Sequence, residues 1–218
     1  MINIVRTEDG SNTLYVEELQ EHYHSVHGAI RESEFIFINS GLSFSGANPV
    51  RIFEAGFGTG LNALLTAVHE LSGKREIFYT SIEKYPLSES IINSLNYKKL
   101  ICGEGGRIYD LIHSCLWNTP VRILNNFELH KIKGDLITDE LTGDFDLIYF
   151  DAFGPDKQPE IWSEEVFRKI SEHTVRNGVL VTYSVKGSVR RTLEKNGFET
   201  NLLPGPPGKR QILRAVKI

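Results

Sequence analysis

The stretch "RIFEAGFGTGLNALL", residues 51–65, restricts what this chain can fold into more than any other. An apolar run closes on an acid, Glu54. Three glycines, Gly56, Gly58 and Gly60, then alternate with other residues before a leucine-rich segment begins. Alternating glycines allow a tight turn between a strand and a helix, and they let a ligand come close to the main chain. Strand, glycine turn and helix together open a βαβ unit, which demands a parallel neighbour and helices on the sheet faces.

The chain after Pro49 follows that rule. "VRIFEA", "EIFYTSIE", "NFELHKIKGD", "DFDLIYFDAF" and "GVLVTYS" read as strands. "GLNALLTAVHEL", "PLSESIINSL", "GRIYDLIHSCL", "IWSEEVFRKISEHT" and "SVRRTLEKNGF" read as helices, with Pro86 at a first helical position. The end, "FETNLLPGPPGKRQILRAVKI", reads as two strands around a Gly/Pro loop. The predicted fold class is therefore α/β: a doubly wound, Rossmann-like, mostly parallel sheet with a C-terminal antiparallel strand. Residues 1–48 are expected to form a small α+β extension on the main unit, residues 49–218, the whole being one compact body. Within the extension "SNTLYVEEL" is predicted as a short strand, "EELQEHYHSVHGAIRES" as a helix and "EFIFI" as a strand. Ligands of such sheets bind beyond the carboxyl ends of the strands. That rule places Glu54, Glu83, Asp135 and Asp151 along one rim.

Composition narrows the partners. A formal net charge of −4 over 218 residues argues against a protein that coats nucleic acid indiscriminately. Residues 186–218 nevertheless hold eight Lys/Arg against two acids, an excess of +6 that leaves −10 for the remainder. A basic end on an acidic chain can dock a polyanion; its blander reading is a solvated helix face followed by a final strand. No apolar run approaches the length of a membrane span, and the N-terminus lacks a signal pattern, so a cytoplasmic setting is expected. Cys102 and Cys115 have neither metal nor redox spacing. His24 and His27 would share a face of the predicted helix, but His22 points elsewhere and no cysteine completes a site, so no metal is expected.

The glycine spacing also narrows the ligand. A dinucleotide fingerprint wants glycines at its first, third and sixth positions; here they fall at the first, third and fifth, and Leu61 is sixth. The Lys-Ser/Thr pair of a phosphate-binding loop is missing, and Glu54 would repel a pyrophosphate. A carboxylate at that point suits S-adenosyl-L-methionine, which carries an ammonium and a sulfonium and no phosphate. Glu83, twenty-three residues past Gly60, stands where an acid accepts from both ribose hydroxyls. Asp135 stands where a carboxylate can accept from the adenine amino group. The cofactor candidates are thus Glu54, Gly56, Phe57, Gly58, Thr59, Gly60, Asn62, Glu83, Lys84, Asp135 and Asp151. The alternative, a tight turn with no ligand, is opposed by acids at successive strand ends.

"DAFGPDKQPEIW", Asp151 to Trp162, is the second informative stretch. Asp151 follows a buried strand directly, and Gly154, Pro155 and Pro159 stiffen the loop beyond it. Trp162 is either a stacking surface for a base or an anchor for the next helix. "EAGFGTGLN", "SIEKYPL", "DAFGPDKQPEIW" and "GPPGKRQILRA", in this order, resemble the methyltransferase domain of the bacterial tRNA wobble-uridine enzymes of the MnmC family, called MnmD when it stands alone. The glycine loop would mark any class I methyltransferase; the pattern from Asp151 to Trp162 and the terminal Gly-Lys-Arg are more specific.

The resemblance implies S-adenosyl-L-methionine as cofactor and tRNA, at its anticodon loop, as partner. It implies methylation of 5-aminomethyl-(2-thio)uridine at the wobble position to 5-methylaminomethyl-(2-thio)uridine. No second glycine fingerprint is present, so a flavin is not expected, and another enzyme would supply the aminomethyl group. A primary amine is mostly protonated at neutral pH, so the site must hold its neutral form in line with the methyl group. Asp151 is the catalytic candidate; with an ordinary carboxylate pKa it would act more by positioning than as a base. Phe153, Trp162 and Tyr183 are candidate base-stacking surfaces. Lys209 and Arg210 are candidate contacts to the anticodon backbone or the uracil edge, against a solvated loop. Tyr23, His24 and Ser33 are within the segment expected to cover the cleft. Two other readings remain at this stage: a class I methyltransferase for a small amine, and a tRNA-binding protein with a vestigial cofactor site.

Overall fold

The computed structural model describes residues 1–73 and 75–218. Eleven strands are described. The first three, β1 (Ile2–Arg6), β2 (Asn12–Val16) and β3 (Glu21–His22), make a small antiparallel sheet. The main sheet contains β4 (Val50–Ala55), β5 (Ile77–Glu83), β6 (Val121–Leu124), β7 (Phe127–Lys133), β8 (Phe145–Phe150), β9 (Thr174–Thr182), β10 (Phe198–Pro204) and β11 (Gln211–Lys217). Their order is β10-β11-β9-β8-β4-β5-β7-β6. β4 lies between β8 and β5, parallel to both, and its successor loop therefore opens at the middle of the sheet where the strand order reverses. β11 runs antiparallel between β9 and β10, as the hairpin reading requires.

A second reversed strand, β6, was not anticipated. It pairs antiparallel with β7 across a turn of Asn125 and Asn126, in a segment too short to show a clear period. The core strands behave as their composition dictates. In β8, "FDLIYF", every residue but Asp146 is buried, as expected of a strand covered on both faces. One face is covered by α2 (Leu61–His69) and α5 (Gly105–Ser114), the other by α6 (Glu164–Glu172) and α7 (Gly187–Lys195), giving two apolar clusters. Each fully buried Leu, Ile or Phe in them contributes roughly 1.5–3 kcal/mol over exposure. The helix predicted from Pro86 begins later: α3 (Glu89–Ser94) is preceded by Ser88 in extended conformation, and Pro86 lies outside it.

The extension departs most from expectation. Residues 17–28 form turns and the two-residue β3 instead of a helix, and "EFIFI" is helical instead of extended. Gly28, at φ 140°, stops any helix running into α1 (Ala29–Ser33). Side chains hold the turns and their flanks: Thr13 accepts the N–H of His24 (3.0 Å) and Glu32 that of Ser25 (2.7 Å), while Asp9 accepts those of Ser11 (2.9 Å) and Arg31 (3.0 Å) on either side. "EFIFI" lies in a π-helical segment, Glu34–Leu42, whose Ile36, Phe37, Ile38, Gly41 and Leu42 are buried. A short apolar run fits a buried helix as well as a strand, and here tertiary packing decided. Gly41 matters to that packing, because a Cβ there would come within 2.9 Å of Val181 on β9. Leu14, Ala29, Phe37 and Leu42 share one apolar cluster with Val50, Ile52 and Leu64 of the main unit.

Candidate active site

At the carboxyl ends of β4, β5, β7 and β8 lies a cavity of about 510 Å³, roofed by residues of the N-terminal extension. Its floor is the glycine loop. Gly56, Gly58 and Gly60 have φ of 91°, 50° and 70°, a region that L side chains enter only with strain. A Cβ on Gly56 would touch the carbonyl of Asp151 at 3.4 Å, and one on Gly58 would meet the Tyr23 ring at 3.1 Å. A missing side chain thus lets the loop approach the roof at Gly58, while at Gly56 it is the left-handed backbone that calls for glycine.

Four acids stand at or near the carboxyl ends of adjacent strands, Glu54 and Glu83 within them and Asp135 and Asp151 just beyond, but they do not have equal roles. Glu83 is tied to the loop: its Oε2 accepts the Gly58 N–H at 3.0 Å and its Oε1 the Tyr85 N–H at 2.8 Å. Asp135 pairs with Lys84 at 2.8 Å and accepts the Ile137 N–H at 3.0 Å. The hydrogen bond from Lys84 is the main reason its carboxyl titrates below the usual range. Asp151 accepts from Asn62 Nδ2 at 2.8 Å. Burial pushes its carboxyl well above the ordinary aspartate value, opposed by the Asn62 bond, raised again by the charges of Glu32 and Glu54, and lowered by Lys209. The direction differs from the ordinary basicity expected of the residue, and a carboxylate so raised is a stronger proton acceptor.

Glu54 stands apart. It is 0% exposed, does not line the cavity, and accepts from Ser81 Oγ at 2.7 Å. Burial raises its pKa to about 8, so at neutral pH it is mostly a neutral acid beneath the loop, not a carboxylate facing a ligand. Three other candidates also lie off the cavity wall. Gly60 opens α2 in the left-handed conformation, facing His113 and Phe57. Trp162 is buried, packs on Phe150 and Phe167, and donates Nε1–H to the Phe153 carbonyl at 2.7 Å, so it anchors the loop. Arg210 is exposed on the hairpin loop.

Gly56, Phe57, Gly58, Thr59, Asn62, Glu83, Lys84, Asp135, Asp151, Phe153 and Lys209 all line the cavity. Tyr183 and, from the extension, Tyr23 and His24 join them, whereas Ser33 is buried away from it. Sequence reasoning missed Glu32, whose Oε1 stands 3.3 Å from Lys209 Nζ. No local pattern marks an acid whose partner is 177 positions away. Lys209 also lies 4.9 Å over the Tyr183 ring, so it points into the cavity and not toward an open phosphate surface. The basic excess at the chain's end is similarly absorbed: Lys186 pairs with Asp156, Arg190 with Glu194 and Lys195 with Glu164, while Arg214 stacks on Phe44. Arg191 and Arg210 are exposed and make no ion pair among the described residues.

The histidines of the extension are dispersed. His22 packs on Tyr15, His27 Nδ1 lies 2.8 Å from Glu8, and His24 is buried, its pKa lowered by burial to about 4. Among the described residues no group of three His, Cys, Asp or Glu could hold a metal ion, and no helix is long and apolar enough to cross a membrane.

The cavity's chemistry tests which ligand fits. Glu21, Glu32, Glu83, Asp135, Asp151 and Glu160 line it, six carboxyl groups against the two lysines Lys84 and Lys209. Such a lining repels phosphates and attracts a cation. Beside it, the loop's positive-φ glycines and the Glu83 carboxylate provide a cradle for a nucleoside without a pyrophosphate. These residues fit S-adenosyl-L-methionine. Sheet order, glycine loop and rim acids define a class I S-adenosylmethionine-dependent methyltransferase.

Comparison with known proteins gives the same class and a narrower kinship. A family model of S-adenosyl-L-methionine-dependent methyltransferases matches residues 124–218. The bifunctional tRNA 5-methylaminomethyl-2-thiouridine biosynthesis protein MnmC of Campylobacter fetus subsp. fetus is 30% identical over 210 residues, covering 93% of this chain and 34% of that protein. Its counterpart in Campylobacter hominis is 29% identical over 209 residues, covering 93% of this chain and 31% of that one. The chain thus spans about a third of the length of these relatives. The crystal structure of MNMC2 from Aquifex aeolicus matches with a TM-score of 0.82 at 27% identity, over 100% of this chain and 70% of that one. The chain is thus similar along most of its length to about a third of the MnmC proteins, and along all of it to the Aquifex structure.

Proposed function

We propose that this enzyme methylates the exocyclic amine of 5-aminomethyl-(2-thio)uridine at the wobble position of tRNA, giving 5-methylaminomethyl-(2-thio)uridine. The observation that carries the reading is Asp151: a half-buried carboxyl group held by Asn62, between the glycine loop and an acid-rich chamber. Kinship with proteins named for this wobble modification supports the RNA substrate.

S-Adenosyl-L-methionine, when bound, supplies an electrophilic methyl group. Glu83 would accept from the ribose hydroxyls and Asp135, steadied by Lys84, from the adenine amino group, while Gly56 to Thr59 and Asn62 flank the reacting end. In its ionised form, which the incoming ammonium itself favours, Asp151 attracts the substrate and then holds the proton that the amine must lose before its lone pair can attack. The proton passes from the amine nitrogen to a carboxylate oxygen of Asp151, and Asn62 keeps the other oxygen's orientation fixed. Phe153 and Tyr183 offer aromatic faces to the extruded base, and Tyr23, edge-on to Phe153 at 4.9 Å, excludes water from above. The aminomethyl group comes from a separate enzymatic step, and the transfer itself needs neither flavin nor metal. Arg210 and Arg191, exposed and without an ion pair among the described residues, are offered to the anticodon backbone, and the reaction belongs to the cytoplasm, where tRNA is modified.

The test is methylation of bulk tRNA from a strain lacking the gene, with nucleosides read by mass spectrometry. Appearance of 5-methylaminomethyl-(2-thio)uridine at the expense of the aminomethyl form supports the reading. Methylation of a polyamine in the same extract, with tRNA untouched, would replace it by the small-amine alternative that an acidic cavity also favours.

A further inference from the structure

The cavity holds a polar pair that methyl transfer leaves unused. Glu32, on α1, has a side chain only 11% exposed. Its Oε2 is satisfied by the Ser25 N–H at 2.7 Å, but its buried Oε1 makes no hydrogen bond, although Lys209 Nζ is 3.3 Å away. Lys209 reaches the same place from the loop between β10 and β11, its ammonium over the Tyr183 ring. The Tyr183 hydroxyl donates to the Ala152 carbonyl at 2.8 Å, one residue beyond Asp151, so the pair and the amine-holding carboxyl share a wall. A buried ion pair generally adds little net stability, because desolvation offsets the attraction. A pair with spare hydrogen-bonding capacity facing a cavity calls for a ligand.

We propose that Glu32 and Lys209 read the edge of the substrate base, Glu32 accepting the N3–H of a uracil and Lys209 donating to its O4. The inference rests on the reading of the substrate as a 5-aminomethyluridine. In that base the ring carbon next to the one bearing the aminomethyl group carries O4, and N3–H is the next position around the ring. An amine placed at Asp151 therefore turns first O4 and then N3–H along the ring edge beside it. The pair need not separate to serve this edge. An ammonium has three donors, so it can remain beside Glu32 while one of them reaches O4, and the carboxylate oxygen, which makes no hydrogen bond of its own, has lone pairs for N3–H. Cytosine inverts the pattern: its N3 acceptor would face a carboxylate and its amino group an ammonium. Both contacts repel, and the buried charges would be left without partners.

Two anticodon stem-loop RNAs that differ only in the wobble base, 5-aminomethyluridine or 5-aminomethylcytidine, test this directly. The wild-type enzyme should prefer the uridine by at least about a hundredfold in kcat/KM, since a site built around such a donor rejects its inverse strongly. Glu32→Gln, whose amide can present either a donor or an acceptor, should cut that preference by about tenfold or more. Lys209→Gln should act in the same direction, and offers a second variant at a less buried position. S-Adenosyl-L-methionine affinity by calorimetry reports whether each variant has folded, and a ratio of two substrates on one protein is insensitive to a partly inactive sample. An undiminished preference in both folded variants overturns the proposal, as does a wild-type enzyme indifferent to the base. A wild-type enzyme that methylates neither RNA sinks the substrate assignment itself, and the base-reading pair with it.

Discussion

Asp151, Glu83 and Asp135 are carboxylates at neighbouring strand ends, yet each should fail in its own way when removed. Asp151→Asn keeps the shape and the bond with Asn62 but cannot take a proton, so turnover should drop about a hundredfold or more while tRNA affinity barely changes. In the wild type, activity should fall as pH drops through the raised pKa of Asp151, because the protonated acid no longer accepts from the amine. The variant should lose that limb of the pH profile, which single-turnover rates across pH would record; a variant with wild-type turnover removes Asp151 from the chemistry. Asp135→Ala should weaken S-adenosyl-L-methionine binding by roughly ten- to hundredfold, the value of one charge-assisted hydrogen bond. Glu83→Ala should be at least as severe, since Glu83 also fixes the amides of Gly58 and Tyr85. Calorimetry that finds either variant unimpaired would take that acid out of the cofactor site. These three acids were legible in the sequence because each ends an apolar strand, and in a parallel sheet that position alone fixes where the side chain goes. Glu54 lies two register positions short of Glu83 and Asp151, opposite Ser81 and Tyr149, so it is enclosed within the sheet instead of reaching the rim.

The elements that sequence reading misjudged are those whose conformation is set by distant contacts. "EFIFI" has the composition of a strand and becomes a helix because it must cover β8 and β9. Residues 17–28 have the polarity of a surface helix, but Thr13 and Glu32 accept the N–H groups of His24 and Ser25 that a helix would have satisfied internally. The same distant contacts position the hairpin loop. Gly208 has φ 86°, and a Cβ there would run into the ring of His27, itself bonded to Glu8. Gly208→Ala should therefore displace the loop that carries Lys209, adding the strain of a left-handed alanine to the clash. A loss of roughly 1–3 kcal/mol in denaturant unfolding is expected, with a larger fall in kcat/KM for tRNA than in cofactor affinity. Equal losses for tRNA and cofactor would argue that the loop serves the whole fold and not the substrate end of the cavity.

At the scale of the whole molecule, pH dependence of stability tests whether the buried polar groups carry the charges assigned to them. His24 and His113, both with pKa lowered to about 4 mainly by burial, bind fewer protons folded than unfolded between about pH 4 and 6.5, so stability from these groups rises with pH in that window. Glu54 acts with the opposite sign and over a different range. Its folded pKa of about 8 lies above the ordinary value of 4.5, so below pH 4.5 both states are protonated and nothing changes. As pH rises from 4.5 to 8 the unfolded chain releases that proton while the folded one retains it, and stability is progressively lost. Glu54→Gln preserves the shape and the acceptor for Ser81 but does not titrate. Its stability relative to wild type should therefore be constant below about pH 4.5, improve steadily to about pH 8, and level off above. The full span should be on the order of a few kcal/mol, as a shift of this size implies for a fully buried group. Taking the difference between the two proteins at each pH removes the histidines, which are common to both. A difference that stays flat from pH 5 to 8 in urea titrations would mean that Glu54 is ionised beneath the glycine loop. It would then be a fixed negative charge against the cofactor's cationic end, and the neutral acid inferred from its burial would be excluded.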